Sequence, residues 1–265
     1  MSQILRLYGE RREFFTELLV QHLRISATAI VIAAAAGLLL GVYISGHRRA
    51  APFVIGVTNV VYTIPSISLL GFLIPFSGIG DTTAIIALTV YALLPMVRNT
   101  YTGITSIDPE IIEAARGMGS TDLQIMVRVK LPLAMTVIVA GLRNMVVMTV
   151  SLSGIAAFIG AGGLGVAVYR GITTNNISLT VAGSLLIAAV ALLVRFPARQ
   201  AGALSQKEME TGTMKHQIRK VLSVLLAVLL FAGVFSGCGK RIPASSRSPP
   251  SPMTEQFILS EMLAQ

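Results

Sequence analysis

The chain has 265 residues, of which 54% are hydrophobic and only 12% charged. Soluble domains carry about a quarter charged residues, so this composition excludes an ordinary soluble domain and points to an all-α integral membrane bundle. The formal net charge of +9 is therefore a topology signal to be read loop by loop, not a nucleic-acid footprint. The single cysteine, Cys238, excludes an internal disulfide framework, and His22, His47 and His216 lie too far apart for a metal cluster.

Residues 1–22 interleave Ile4, Leu7, Phe14, Phe15, Leu18 and Leu19 with Arg6, Glu10, Arg11, Arg12, Glu13 and Glu17. That alternation predicts an amphipathic helix at the membrane surface. Acidic residues among the basic ones exclude a cleavable signal there. Five apolar segments come next, approximately 23–45, 52–76, 82–98, 132–152 and 177–196. Each is near the roughly 20 residues that cross a bilayer, and in hydrocarbon such runs must be helical. Small residues such as Gly37, Gly56, Gly71, Gly141 and Gly183 allow close helix packing. Pro65, Pro75 and Pro95 predict breaks or kinks, tolerated where backbone lines a cavity or is covered by protein. Arg143, with Asn144 beside it, lies about three turns into the fourth segment. A charge at that depth must face protein or water, which leaves a translocation pathway, a subunit interface or a structural pairing with helix-end carbonyls.

The loops separate by charge. Loop 46–51 carries Arg48 and Arg49, the central stretch carries Arg98, Arg116, Arg128 and Lys130, and the stretch after the fifth segment carries Arg195, Arg199, Lys207, Lys215, Arg219 and Lys220. Loop 77–81 has no Lys or Arg, and loop 153–176 has only Arg170. The basic loops are expected in the cytoplasm, including 197–220, which places the N-terminus outside despite Arg6, Arg11 and Arg12.

The central polar stretch, Asp108 to Pro132, reads as two short helices around a glycine break. Asp108 suits an N-cap and Pro109 a first helical position. Gly117 and Gly119 allow a turn, and Thr121 with Gln124 makes a capping box. Ile111, Ile112 and Ala115 give the first helix an apolar side beside Glu113 and Arg116, and Pro132 is expected to end the unit. Glu113, Ala114, Ala115, Gly119, Val129, Leu131 and Pro132 fall at the spacing of Glu-Ala-Ala, three residues, Gly, nine residues, aliphatic, any residue, Leu, Pro. This pattern resembles the EAA loop of bacterial ABC importer permeases. The resemblance implies a coupling helix seated in a cleft of a separate ATP-binding subunit. That subunit, not this chain, would hold ATP–Mg, since no phosphate-binding loop and no catalytic constellation occur here.

Two further stretches resemble the same family. Asn59 to Ser66 is similar to a segment written Gln-Thr-Ile-Pro-Ser, with Tyr62 in the place of the glutamine before Thr63, Ile64, Pro65 and Ser66. A helix-kinking motif is one reading; an aromatic ring facing a cation is another. Gly160, Gly162, Gly163 and Gly165 resemble the extracytoplasmic glycine segment of betaine-type and methionine-type permeases, which implies an outer gate; a plain re-entrant turn is the alternative. The resemblance covers about residues 20 to 200, assigned to the permease domain 23–200 with a linker at 201–213.

The tail changes character at Met214. Residues 214–238 join a basic start, an apolar run from Val221 to Phe235 and Ser236-Gly237-Cys238, the parts of a lipoprotein signal. One reading is an uncleaved sixth helix tethering residues 239–265, which the internal position favours; the other is a signal cleaved before a lipidated Cys238. Residues 239–265 contain Thr254-Glu255-Gln256-Phe257, similar to the opening of an osmoprotectant-binding domain, and imply a truncated fused binding domain.

The expectation from these resemblances is a homodimeric permease in a bacterial inner membrane, working with ATP-binding subunits and an extracytoplasmic binding protein. Its cargo would be glycine betaine, carnitine, choline or a related trimethylammonium compound such as ergothioneine. A methionine-type importer is the alternative. An ion-coupled carrier would need an intramembrane carboxylate, and no Asp or Glu falls inside the five segments. A structural membrane anchor would not need the spaced pattern from Glu113 to Pro132.

Overall fold

The computed structural model describes residues 2–47 and 49–209, with side chains described to Arg195 except those of Ser2 and Leu5. The expected tether helix 214–238, Cys238 and the binding-domain start at 239–265 lie outside the described residues. Within them every regular element is helical. In order they are α1 (Ser2–Glu10), α2 (Arg12–Gly46), α3 (Ala50–Thr63), α4 (Ser66–Ser77), α5 (Asp81–Thr105), α6 (Pro109–Gly117), α7 (Asp122–Ile125), a π-helical turn (Met126–Lys130), α8 (Leu131–Leu152), a 3-10 stretch (Ser153–Ile159), α9 (Gly165–Thr173) and α10 (Ile177–Met209).

Among the described residues four helical rods are long and apolar enough to cross a bilayer, or five where the bent pair α3–α4 counts as one span. The chain is thus an all-α membrane bundle. The central rod is α5, packed mainly between α2 and α8. A Cβ on Gly37 would lie 2.7 Å from the Met96 side chain, and one on Gly41 2.5 Å from Thr100, so α2 and α5 run parallel. Gly141 lies against Asn99, while Gly103 lies against Ala134 and Val137, so α8 runs antiparallel to α5. It follows that residues 47, 49 and 106–130 share one end of the bundle, and residues 78–80 and 153–164 share the other. The charge-sorted loops therefore sort by end as well. The main core joins Ile30, Ala33, Met96, Ile138, Met145, Leu164 and Ala182; a second cluster joins Ile25, Leu69, Leu88, Tyr91 and Ile159 toward the less basic end.

Three boundaries differ from the sequence expectation. The first helix break falls at Arg11, whose φ of −117° and ψ of 37° are not helical, and not at residue 22. Residues 12–22 carry no breaker and form the first turns of α2. The amphipathic piece is thus α1 alone, docked on α10 by Tyr8, whose hydroxyl donates to the Ala182 carbonyl at 2.7 Å. Burial there pushes the Tyr8 hydroxyl pKa up. Second, segment 52–76 is not one kinked helix: α3 and α4 meet at 101°. Pro65 makes this break, whereas Pro75 and Pro95 sit inside α4 and α5. Third, Pro132 does not end the central unit. Helix runs unbroken from Asp122 through the π turn into α8. A π turn widens the backbone just before the proline, where its ring would otherwise crowd the preceding turn and its missing N–H would break an α ladder.

Candidate functional site

The loop from Ser106 to Lys130 projects from the basic end. Asp108 caps α6, its carboxylate accepting the Glu110 N–H at 2.9 Å, with Pro109 at the first helical position. The helix closes through a pair of reverse bonds: the Ser120 N–H donates to the Ala115 carbonyl and the Gly119 N–H to the Arg116 carbonyl. This is a Schellman closure with Gly119 at the left-handed position, φ +83°. Gly117, in contrast, is an ordinary last residue of α6, so the turn needs only one of the two glycines. Thr121 and Gln124 then form the capping box of α7, with both of its hydrogen bonds present. Arg116 bridges the turn to Asp122 at 2.8 Å. At that exposure the pair is worth about 0–1 kcal/mol and serves geometry more than stability.

Side chains on this unit divide between anchoring and display. Ala115 and Ile125 are buried and face the protein. Glu113 and Ala114 are exposed, and Leu131 and Pro132 are half-buried at the entry to α8. Met118 is 80% and Leu123 75% exposed, with Ile111 and Val127 also open. Large apolar side chains flanked by Glu110, Glu113 and Arg116 make a surface that water disfavours and a protein cleft would cover.

Within the bundle lies the α3–α4 elbow. Pro65 cannot donate to the α3 ladder, so carbonyls at the end of α3 are released. The Tyr91 hydroxyl of α5 donates to the Ile64 carbonyl and pins the corner. The Tyr62 ring meets Tyr91 edge-on at 5.9 Å, and its hydroxyl reaches the Met148 sulfur of α8 at 3.4 Å. Pro65 is exposed and Ser66 half-buried, the latter lining a small apolar niche with Leu70, Tyr91 and Leu152. Arg143 is half-buried and Asn144 exposed, both on α8. Among the described residues Arg143 makes no ion pair.

At the opposite end the glycine segment is clamped. The Gly162 N–H donates to the Asp81 carboxylate at 3.1 Å, and the Gly163 N–H to the Gln21 side-chain oxygen at 3.2 Å. Gly163 adopts φ +98° against the His22 backbone, and Gly160 adopts φ +72° at the end of the 3-10 stretch. Gly165 abuts the Gly154 carbonyl closely enough that any side chain would collide with it. Behind the segment the buried His22 ring lies 3.0 Å from the Ser153 hydroxyl and 3.1 Å from the Val150 carbonyl. The four glycines are thus brought together at the less basic end, and the 3-10 stretch that leads into them supplies Ile155 and Ala156 to the niche lined by Ser66 and Tyr91.

Sequence reasoning missed Gln21, His22, Asp81, Tyr91, Met148 and Ser153 as members of these clusters. Two carried a signal. Asp81 is a lone carboxylate beside the glycine pair Gly78 and Gly80, and Tyr91 is a hydroxyl within an apolar segment that must find an acceptor. No group of three or more metal-ligating side chains occurs among the described residues.

The chain has relatives among known proteins. Residues 27–210 match the family profile described as binding-protein-dependent transport system inner membrane component. The carnitine transport permease protein OpuCB of Listeria monocytogenes is 41% identical over 66% of this chain and 81% of its own length. The ergothioneine transport permease/ergothioneine binding protein EgtU of Helicobacter pylori is 38% identical over 86% of this chain but only 42% of its own length. Among solved structures, the inward-facing MetNI methionine ABC transporter matches with a TM-score of 0.65 at 26% identity, over 70% of this chain and 93% of that one. The chain belongs to the binding-protein-dependent transport system inner membrane component family, whose members are transport subunits of ABC importers.

Proposed function

We propose that this chain is the permease subunit of an ATP-driven importer for quaternary-ammonium osmoprotectants: glycine betaine, carnitine, choline or a related trimethylammonium compound such as ergothioneine. Two copies form the pathway in the bacterial inner membrane. The loop from Asp108 to Pro132 faces the cytoplasm, and Glu113, Ala114, Ala115, Gly117, Gly119, Leu131 and Pro132 couple it to an ATP-binding subunit that holds ATP–Mg. The observation that carries this reading is the loop itself: a doubly capped, glycine-closed peg that exposes Met118 and Leu123 on its crest. Such a surface supports a protein partner, and the Arg and Lys of the same bundle end support its cytoplasmic placement.

The substrate class rests on the relatives, with 41% identity to a carnitine permease against 26% to the methionine transporter. Tyr62, Pro65, Ser66, Arg143 and Asn144 line the pathway or the interface between copies. Gly160, Gly162, Gly163 and Gly165 form the outer gate, beneath the docked binding protein. A fused binding domain reached through residues 214–238 is supported by the EgtU match, which covers 86% of this chain where the carnitine permease covers 66%.

The coupling reading is tested by co-purification. Glu113→Ala and Gly119→Asp are expected to release the ATP-binding subunit while the permease stays membrane-inserted. Full retention of the subunit by both variants would sink the assignment of the loop. The cargo is tested by uptake of labelled betaine, choline and ergothioneine with an intact binding domain supplied.

A further inference from the structure

The elbow between α3 and α4 places an aromatic ring at the negative end of a broken helix. Val60, Val61, Tyr62 and Thr63 are the last four carbonyls of α3. Thr63 Oγ1 donates to the Val60 carbonyl and the Ile64 N–H to that of Val61. The carbonyls of Tyr62 and Thr63 receive no hydrogen bond from any described residue. The aligned peptides of α3 add partial negative charge at the same place. Tyr62 is 44% exposed beside these carbonyls, and its position is fixed by Tyr91 on one side and Met148 on the other. The only cation stacked on a ring among the described residues is Arg170 over Phe14, at the far end of the bundle, so none of the described cations occupies Tyr62.

We propose that this elbow is a recognition point for a methylated ammonium group in transit, with the Tyr62 ring as its π face and the Tyr62 and Thr63 carbonyls as its dipoles. The inference rests on the substrate class proposed above and deepens it. A trimethylammonium head is weakly hydrated and has no N–H to donate. It is therefore held by an aromatic face and carbonyl dipoles without a carboxylate. Contacts of this kind are weak, which a transport pathway needs if cargo is to leave. Tyr91 is a positioning residue: by holding the Ile64 carbonyl it turns α3 away before its last carbonyls can be re-bonded by α4.

The test uses the full chain in detergent with its ATP-binding subunits and no added binding protein. Saturation transfer by NMR is read on the methyl protons of choline and of 3,3-dimethylbutan-1-ol, its uncharged isostere. The wild type is expected to transfer to choline and not to the alcohol. Tyr62→Leu is expected to weaken the choline contact about fivefold, and Tyr62→Phe to keep it within about twofold. Equal transfer to the neutral alcohol in the wild type, or a choline signal indifferent to Tyr62→Leu, overturns the proposal; the first comparison needs no variant to fold. Uptake of labelled choline by the wild-type complex separates the two levels. No uptake of any trimethylammonium compound removes the importer reading, whereas uptake with no dependence on Tyr62 removes only the elbow site.

Discussion

Gly117 and Gly119 are two residues apart on the same loop, yet only one is required by the backbone. Gly119 sits at φ +83°, where a Cβ would cost about 1 kcal/mol or more. Gly117 has helical backbone and open space around it. Gly119→Ala is therefore expected to loosen the closure between Ala115 and Ser120, and Gly117→Ala to leave it intact or stabilise it by about 0.4–1 kcal/mol. Limited trypsin digestion at Arg116 reads the difference directly. Faster cleavage is expected in the first variant and unchanged or slower cleavage in the second. Equal acceleration by both would mean that loop geometry does not depend on the left-handed position. The spacing motif tolerates any residue at 117 but demands glycine at 119, and the φ values give the reason.

At the scale of elements, the helices and caps were legible because each depends on residues within one or two turns. Asp108, Pro109, Thr121 and Gln124 act locally, and the structure uses all four as their types dictate. Features that the sequence did not reveal depend on partners far along the chain. Pro65 announces a break, but the 101° corner needs the Tyr91 hydroxyl to hold the Ile64 carbonyl. Pro132 announces a stop, but a π turn at 126–130 absorbs it and the rod continues. The glycine segment was visible, while its clamps Gln21 and Asp81 are 142 and 81 positions away from the amides they accept. The corner gives a direct measurement. Tyr91→Phe keeps the ring and its contact with Tyr62 but leaves the Ile64 carbonyl unbonded, a loss of about 1–3 kcal/mol. Thermal unfolding of the detergent-solubilised complex should begin about 2–5 °C lower. An unchanged midpoint would show that some other donor holds the corner.

For the whole molecule, the two ends are built to different standards. The basic end carries a peg whose ties are internal, from α6 to α7, and whose apolar crest is left open. The opposite end is tied across the fold: Gln21 from α2 and Asp81 from α5 both accept amides of the segment after α8. The unbroken rod from Asp122 to Leu152 leads from the peg directly into that segment. The clamps thus tie that segment to α5 and α2. A hydrogen bond to a carboxylate is worth about 1.5–3 kcal/mol and one to an amide oxygen about 1 kcal/mol, so losing both should raise local opening about fiftyfold or more. Hydrogen exchange by mass spectrometry on the complex carrying Asp81→Ala and Gln21→Ala should show residues 160–165 exchanging faster by about that factor. Residues 106–130 should be unchanged, because no contact of the clamp reaches them. Equal exchange in wild type and variant would mean that glycine packing against His22 and Gly154, and not the side-chain clamps, holds the far end shut.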